Sequence, residues 1–290
     1  MHEFSYAAPD SLAAALAVLA KNGARARVLA GGTDLIVAMR VGRRQPDMVV
    51  DAKRITELNE LTLNDAGLTI GAAVPCRMLW ENNQIRVRYP AVVDSAELIG
   101  GVAIQGRATL GGNLCNAAPS ADGIPTLIVL GAVAHIAGPK GVRQLPVEEI
   151  CIAPGKTCLA DSDLLVKLHI PAPAKHAGAK FMRFIPRNEM DIAVVNVAVA
   201  VVLNGACDKF VSARIALGAV APTPLFVQAA GDALAGKPVT EESIAAAAQI
   251  AMEAARPIDD MRGTIRQRKH LVKVLTARAI RDAVQRAKGV

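Results

Sequence analysis

Two glycine pairs, each set among apolar residues and followed at once by small polar ones, are the residues of this sequence best suited to chemistry. The first lies in Val28-Leu29-Ala30-Gly31-Gly32-Thr33-Asp34-Leu35. The second lies in Ala108-Thr109-Leu110-Gly111-Gly112-Asn113-Leu114-Cys115-Asn116-Ala117-Ala118-Pro119-Ser120-Ala121-Asp122. Glycine lets the main chain take positive φ and approach a ligand closely. Successive backbone N–H groups, with hydroxyls and amides beside them, then form an anion-binding concavity. One such pair is usually a plain turn. Two with the same chemistry, about eighty residues apart, read as a clamp around a pyrophosphate and therefore around a dinucleotide. Thr33, Asp34, Thr109 and Asn113 would add side-chain bonds. Asp34 is an odd neighbour for phosphate because like charges repel, and fits better as a cap of the following helix or a partner of a polyol hydroxyl.

No catalytic constellation accompanies the clamp. The histidines, at 2, 135, 169, 176 and 270, are scattered, and His135 and His169 fall inside apolar strands where a structural role is expected. Ser120 and Cys115 have no base near them in sequence, so neither reads as a nucleophile. The five cysteines, at 76, 115, 151, 158 and 207, form no C-x-x-C pair and no zinc-like or ferredoxin-like spacing. An odd, scattered set argues for reduced thiols. A chain that only binds a redox group needs little acid–base machinery of its own, because the cofactor carries the chemistry.

The elements around the clamp follow from periodicity and turn residues. Asp10 or Ser11 caps a first helix carrying Leu12, Leu16 and Leu19 on one face, and Gly23 ends it. Residues 27–30 read as a strand entering the first glycine loop, 34–41 as a helix and 48–51 as a strand, which together make a βαβ-like unit. Residues 58–63 and 68–73 flank Asn64-Asp65-Ala66-Gly67, a hairpin signal. Helical stretches at 75–82 and 89–99 precede the second glycine segment. Strands at 133–137, 142–146 and 164–170 come after it. Pro171-Ala172-Pro173-Ala174-Lys175 reads as an extended linker. Beyond it, a strand at 181–185 and paired strands at 192–203 and 209–217 around Asn204-Gly205 precede helices at 225–234, 241–254 and 265–288. The expected units are therefore 1–57, 58–175 and 176–290.

Composition narrows the class. The chain has 290 residues, enough for two or three compact units. It is 52% hydrophobic but only 3% aromatic, so its packing rests on small aliphatic side chains. No run reaches the roughly 18 apolar residues that span a bilayer, and the N-terminus has neither the basic start nor the apolar core of a signal peptide. No integral membrane segment and a cytoplasmic location are expected. The net charge of +7 is diffuse except along the last helix, whose other face is apolar. With no binding motif and almost no aromatics for stacking, nucleic acid is not an expected partner.

The two glycine segments also carry a family resemblance. The run Thr109-Leu110-Gly111-Gly112-Asn113, continuing through Asn116-Ala117-Ala118-Pro119-Ser120-Ala121-Asp122, resembles the medium, FAD-binding subunit of molybdenum hydroxylases such as carbon monoxide dehydrogenase and xanthine dehydrogenase, and the likeness spans nearly the whole chain. It implies an α+β architecture: a two-subdomain FAD-binding fold of the vanillyl-alcohol oxidase / p-cresol methylhydroxylase type, then a C-terminal α+β domain built on a three-stranded antiparallel sheet with helices. It implies FAD here, with molybdopterin and two [2Fe–2S] clusters in partner chains. Those partners are an iron–sulfur small subunit and a molybdopterin large subunit, in a dimer of heterotrimers. The flavin would take electrons from the iron–sulfur clusters and pass them to NAD⁺, oxygen, a quinone or another acceptor. The resemblance also adds Asp122, Leu165 and Arg183 to the ligand set, Arg183 replacing the family's usual lysine with a different donor geometry. A self-contained flavoenzyme of the same superfamily and a non-enzymatic nucleotide-binding module are the alternatives.

Overall fold

The computed structural model of the chain describes residues 2–187 and 190–289. Its first unit contains β1 (Ser5–Ala7), α1 (Leu12–Asn22), β2 (Ala26–Leu29), α2 (Leu35–Arg40) and β3 (Met48–Asp51). The strands form a parallel sheet in the order β1-β3-β2. Ser11, rather than Asp10, caps α1 by accepting the Ala14 N–H at 3.4 Å, and Gly23 ends the helix at φ +50°. Parallel pairing of β2 with β3 requires the crossover that α2 supplies.

In the second unit β4 (Leu61–Asn64) and β5 (Gly67–Gly71) form the expected hairpin, followed by short helices α3 (Cys76–Trp80), α4 (Asn83–Arg88), α5 (Pro90–Ala96), α6 (Val102–Gln105), α7 (Leu110–Asn116) and α8 (Gly123–Val129). Then come β6 (Val133–Gly138), β7 (Gly141–Pro146), the small β8 (Cys151–Ala153) and β9 (Lys156–Thr157) ribbon, and β10 (Leu164–Pro171). The main sheet is antiparallel, in the order β4-β5-β10-β6-β7. Its central strand, β10, comes from the far end of the unit, so the helices between β5 and β6 are held between paired segments.

The last unit is an antiparallel sheet of β11 (Ala177–Phe184), β12 (Val195–Leu203), β13 (Phe210–Gly218) and β14 (Leu225–Phe226), with α9 (Gln228–Asp232), α10 (Glu241–Ala254) and α11 (Ile265–Lys288). Here the structure corrects two expectations. The sheet has a fourth, two-residue strand, and the helix expected from residue 225 starts at Gln228, because Leu225 and Phe226 pair with Leu217 and Ala216. Strand β12 alternates along its length. Val195, Val197, Val199 and Val201 join the apolar core shared with α10 and α11, while Ala198 belongs to the core of the first two units. Asn196, two residues before Ala198, shares that second face, as a strand's period of two requires. The sheet is thus buried on both sides, which explains why β12 reads as an almost continuous apolar run.

Polar ties hold this last unit to the second. The Asp94 carboxylate on α5 accepts two bonds from Arg286 of α11 at 2.7 and 2.9 Å and one from the Phe181 N–H at 3.2 Å, with the Lys180 ammonium at 3.5 Å. Arg214 on β13 donates to the Ile128 carbonyl and to Glu148, both from the second unit. Losing one partner of a largely buried pair leaves the other uncompensated. Asp94→Ala is therefore expected to cost about 3 kcal/mol in denaturant unfolding, and Asp94→Asn less, because the amide oxygen still accepts. Equal midpoints for the wild type and Asp94→Ala would show that the tie contributes nothing.

Candidate functional site

A cavity of about 750 Å³ opens between the first two units, within the roughly 300–1,000 Å³ range of small-molecule sites. Its wall is built from both glycine segments, the floor strand β10 and the β8–β9 ribbon.

The first segment leaves β2 at Leu29 and turns into α2. Gly31 has no room for a side chain: a Cβ there would run into the Arg107 carbonyl oxygen. Gly32 sits at φ +79°, in the left-handed region that favours glycine, and its carbonyl accepts the Ile36 N–H at 3.0 Å to start the helix. Asp34 occupies the N-cap position but makes no side-chain cap bond, so the expected capping role is not seen. Its carboxyl lines the cavity wall, where desolvation pushes its pKa above the usual range.

The second segment is a helix where a loop was expected. Thr109 caps α7 by accepting the Gly112 N–H at 2.8 Å. Gly111 backs on to Ala72 at the end of β5, where a Cβ would lie 2.6 Å from the Ala72 Cα. Gly112 is crowded only by the Thr109 hydroxyl, 2.9 Å from a notional Cβ. Asn113 accepts the Gly123 N–H at 3.1 Å. The Oγ1 of Thr109 and the Oδ1 of Asn113 are thus engaged within the protein, leaving the Asn113 amide N–H groups for a ligand.

Of the residues expected at the site, Val28, Ala30, Gly31, Gly32, Thr33, Asp34, Leu35, Thr109, Gly111, Gly112, Asn113, Cys115 and Leu165 line the cavity. Leu29 and Leu114 do not. Leu114 is fully buried in the core, because helical spacing turns it away from the face that carries Cys115. Asp122 and Arg183 also lie outside the cavity wall. They form an ion pair of 2.6 Å in which both side chains are buried, and the Asn196 amide donates to the same carboxylate at 3.0 Å. Burial pushes the Asp122 carboxyl up, against the opposing pull of Arg183 and Asn196. The pair joins the end of the second segment to the last unit. Arg183 Nε and Asn196 Oδ1 are buried there without a protein partner.

Sequence reasoning missed two cations of the cavity wall, Arg44 from the α2–β3 loop and Lys156 from the β8–β9 ribbon. Neither takes part in an ion pair among the described residues. Their only sequence signal was the Pro154-Gly155 turn that brings Lys156 round, a turn fixed by the Gly155 N–H donating to the Ala117 carbonyl at 3.0 Å. Close-packed glycines beside free cations match a dinucleotide diphosphate. Among the described residues no group of His, Cys, Asp and Glu could hold a metal ion, and no helix is long and apolar enough to cross a membrane.

Comparison with known proteins agrees with this geometry. Residues 2–173 match the family model "FAD binding domain in molybdopterin dehydrogenase", and residues 180–283 match "CO dehydrogenase flavoprotein C-terminal domain". The xanthine dehydrogenase FAD-binding subunit of Escherichia coli O157:H7 is 32% identical over 287 residues, covering 98% of this chain and 97% of that one. The carbon monoxide dehydrogenase medium chain of Hydrogenophaga pseudoflava is 30% identical over 280 residues, covering 97% and 96%. A solved structure of carbon monoxide dehydrogenase from that organism, lacking the Mo-pyranopterin moiety of the molybdenum cofactor, matches with a TM-score of 0.94 at 31% identity over 98% of both chains. With its two glycine elements, its C-terminal sheet and its full-length likeness, the chain belongs to the FAD-binding medium subunits of the molybdenum hydroxylases, a family of oxidoreductase subunits.

Proposed function

We propose that the cavity holds one non-covalently bound FAD and that the chain serves as the electron outlet of a heterotrimeric molybdenum hydroxylase. The observation that carries this reading is the cavity itself, walled by two glycine elements with Arg44 and Lys156 unpaired beside them. In this proposal the cavity-lining residues of Val28–Leu35 and Thr109–Cys115, all but Leu29, Leu110 and Leu114, hold the dinucleotide. Leu165 supplies an apolar contact. Asp122 and Arg183 act from behind, fixing the end of the second segment. Bound flavin supplies two-electron chemistry with one-electron donors and acceptors. The protein's part is to orient it and exclude water.

The relatives support a division of labour. A xanthine dehydrogenase and a carbon monoxide dehydrogenase act on very different substrates, yet both have a subunit resembling this chain from end to end. Substrate chemistry then lies in a partner with molybdopterin, and a small subunit with two [2Fe–2S] clusters feeds this chain. NAD⁺, oxygen, a quinone or another acceptor takes the electrons. The same proposal places a dimer of such heterotrimers in the cytoplasm.

Four outcomes are expected. Acid precipitation should release all the flavin, as FAD, into the supernatant; yellow colour left in the pellet would mean a covalent bond. Gly32→Val forces a β-branched residue to φ +79°, at a cost of roughly 1–3 kcal/mol, and should weaken FAD binding in a fluorescence titration while circular dichroism stays native. Gly31→Ala meets backbone rather than a movable side chain and should lose both FAD and melting temperature. If Gly31→Ala and the wild type bind FAD equally, the close contact is not part of the site. Finally, the isolated FAD-loaded chain should oxidise no purine, aldehyde or carbon monoxide, whereas in the complex its flavin band should bleach on adding the substrate of the large subunit. Rapid turnover of an alcohol by the lone chain would instead identify a self-contained oxidase.

A further inference from the structure

Away from the cavity, at the hairpin between β12 and β13, Cys207 and His176 stand together. The Cys207 sulfur lies 3.5 Å from His176 Nδ1. His176 is exposed and Cys207 half-buried, so the sulfur is reachable from solvent. Both residues take positive φ, 54° for His176 and 55° for Cys207. Each is held in that conformation by its surroundings: the Leu203 N–H donates to the His176 carbonyl at 3.0 Å, and the Cys207 N–H donates to the Asn204 carbonyl at 2.9 Å. Charged neighbours along the chain are Lys175, Asp208, which accepts from the Asn204 amide at 2.8 Å, and Lys209.

Desolvation disfavours the thiolate at the other four cysteines. Burial pushes Cys76 up to about 12, and desolvation in the cavity wall does the same to Cys115, although that residue is exposed and has no imidazole beside it. Cys151 rises to about 11 by burial, and Cys158 is raised for the same reason. A thiol attacks only as thiolate, and an imidazole within hydrogen-bond reach gives the proton somewhere to go. Cys207 has that imidazole beside it.

We infer that Cys207 and His176 form a nucleophile–base pair that makes Cys207 a site of covalent modification by small-molecule disulfides. His176 Nδ1 takes the thiol proton. The Cys207 sulfur then attacks one sulfur of a low-molecular-weight disulfide, a new S–S bond forms as the old one breaks, and the departing thiolate receives the proton from His176. The exchange needs no external oxidant, because the disulfide is the electron acceptor.

The test uses the full chain as purified and the aromatic disulfide dithiobis(nitrobenzoate), with peptide mapping after partial reaction. One thiol should react ahead of the rest and map to Cys207, and Cys207→Ser should abolish that phase. His176→Gln should slow it about tenfold or more. If His176→Gln folds poorly, the identity of the first-labelled thiol in the wild type decides alone. First labelling at another cysteine, or a His176→Gln rate equal to that of the wild type, would each overturn the pair.

Discussion

The contact between Gly31 and the Arg107–Ala108 backbone is the constraint on which the rest of the site depends. It brings the first glycine element, from a parallel βαβ unit, against the entry to the second, from an antiparallel sheet. The entry is fixed from its other side: the Ala108 carbonyl accepts the Cys76 N–H at 2.7 Å, and Thr109 bridges to Pro75. Any side chain at residue 31 would drive the two walls apart. A cavity between two units can match a ligand closely only if the units meet at a fixed distance, and an atom-to-atom backbone contact fixes it better than side chains that change rotamer.

This contact divides the glycines by task in a way the sequence does not reveal. Each pair looks like two equivalent ligand-facing residues. In the structure the first member of each pair, Gly31 and Gly111, is spent on packing against Arg107 and Ala72. The second members, Gly32 and Gly112, face fewer fixed atoms. Adjacent residues on a turn or helix point in different directions, so a pair can serve the scaffold and the ligand at once. Motif reading finds the pair; only three-dimensional neighbours assign the roles.

The same limit explains what else was legible. Local signals placed α1, the hairpin at 64–67 and the Asn204-Gly205 turn, because caps and turn residues act within a few positions of where they stand. The second segment was read as a loop because glycine pairs usually break helices, yet Thr109 supplies a cap strong enough to start α7 there. Tertiary pairing overrode propensity at residues 225 and 226, where β14 adds to β13. Asp122 and Arg183 entered only through the family resemblance, and nothing in a one-dimensional spacing of sixty-one positions says that they bond each other. Lys156 and Arg44 carried almost no signal, since an exposed cation looks the same in any loop.

Their pairing gives Asp122 and Arg183 a mechanical meaning. A buried ion pair is weak evidence for stability, because desolvation offsets much of the attraction. Its stronger effect is on geometry, since both charges are satisfied only when the end of the second segment and the first strand of the last unit meet in one arrangement. Asn196 adds its amide to the same carboxylate from the next strand, so β11 and β12 are both referred to Asp122. Together with Asp94 and Arg286, this holds the last unit in one position against the second unit, which carries part of the cavity wall. If the chain is the electron outlet proposed above, transfer depends steeply on the separation of donor and acceptor, so the chain acts on rate mainly through placement. On that proposed reading the cost of burying charge at this junction is intelligible: what the chain contributes is a distance.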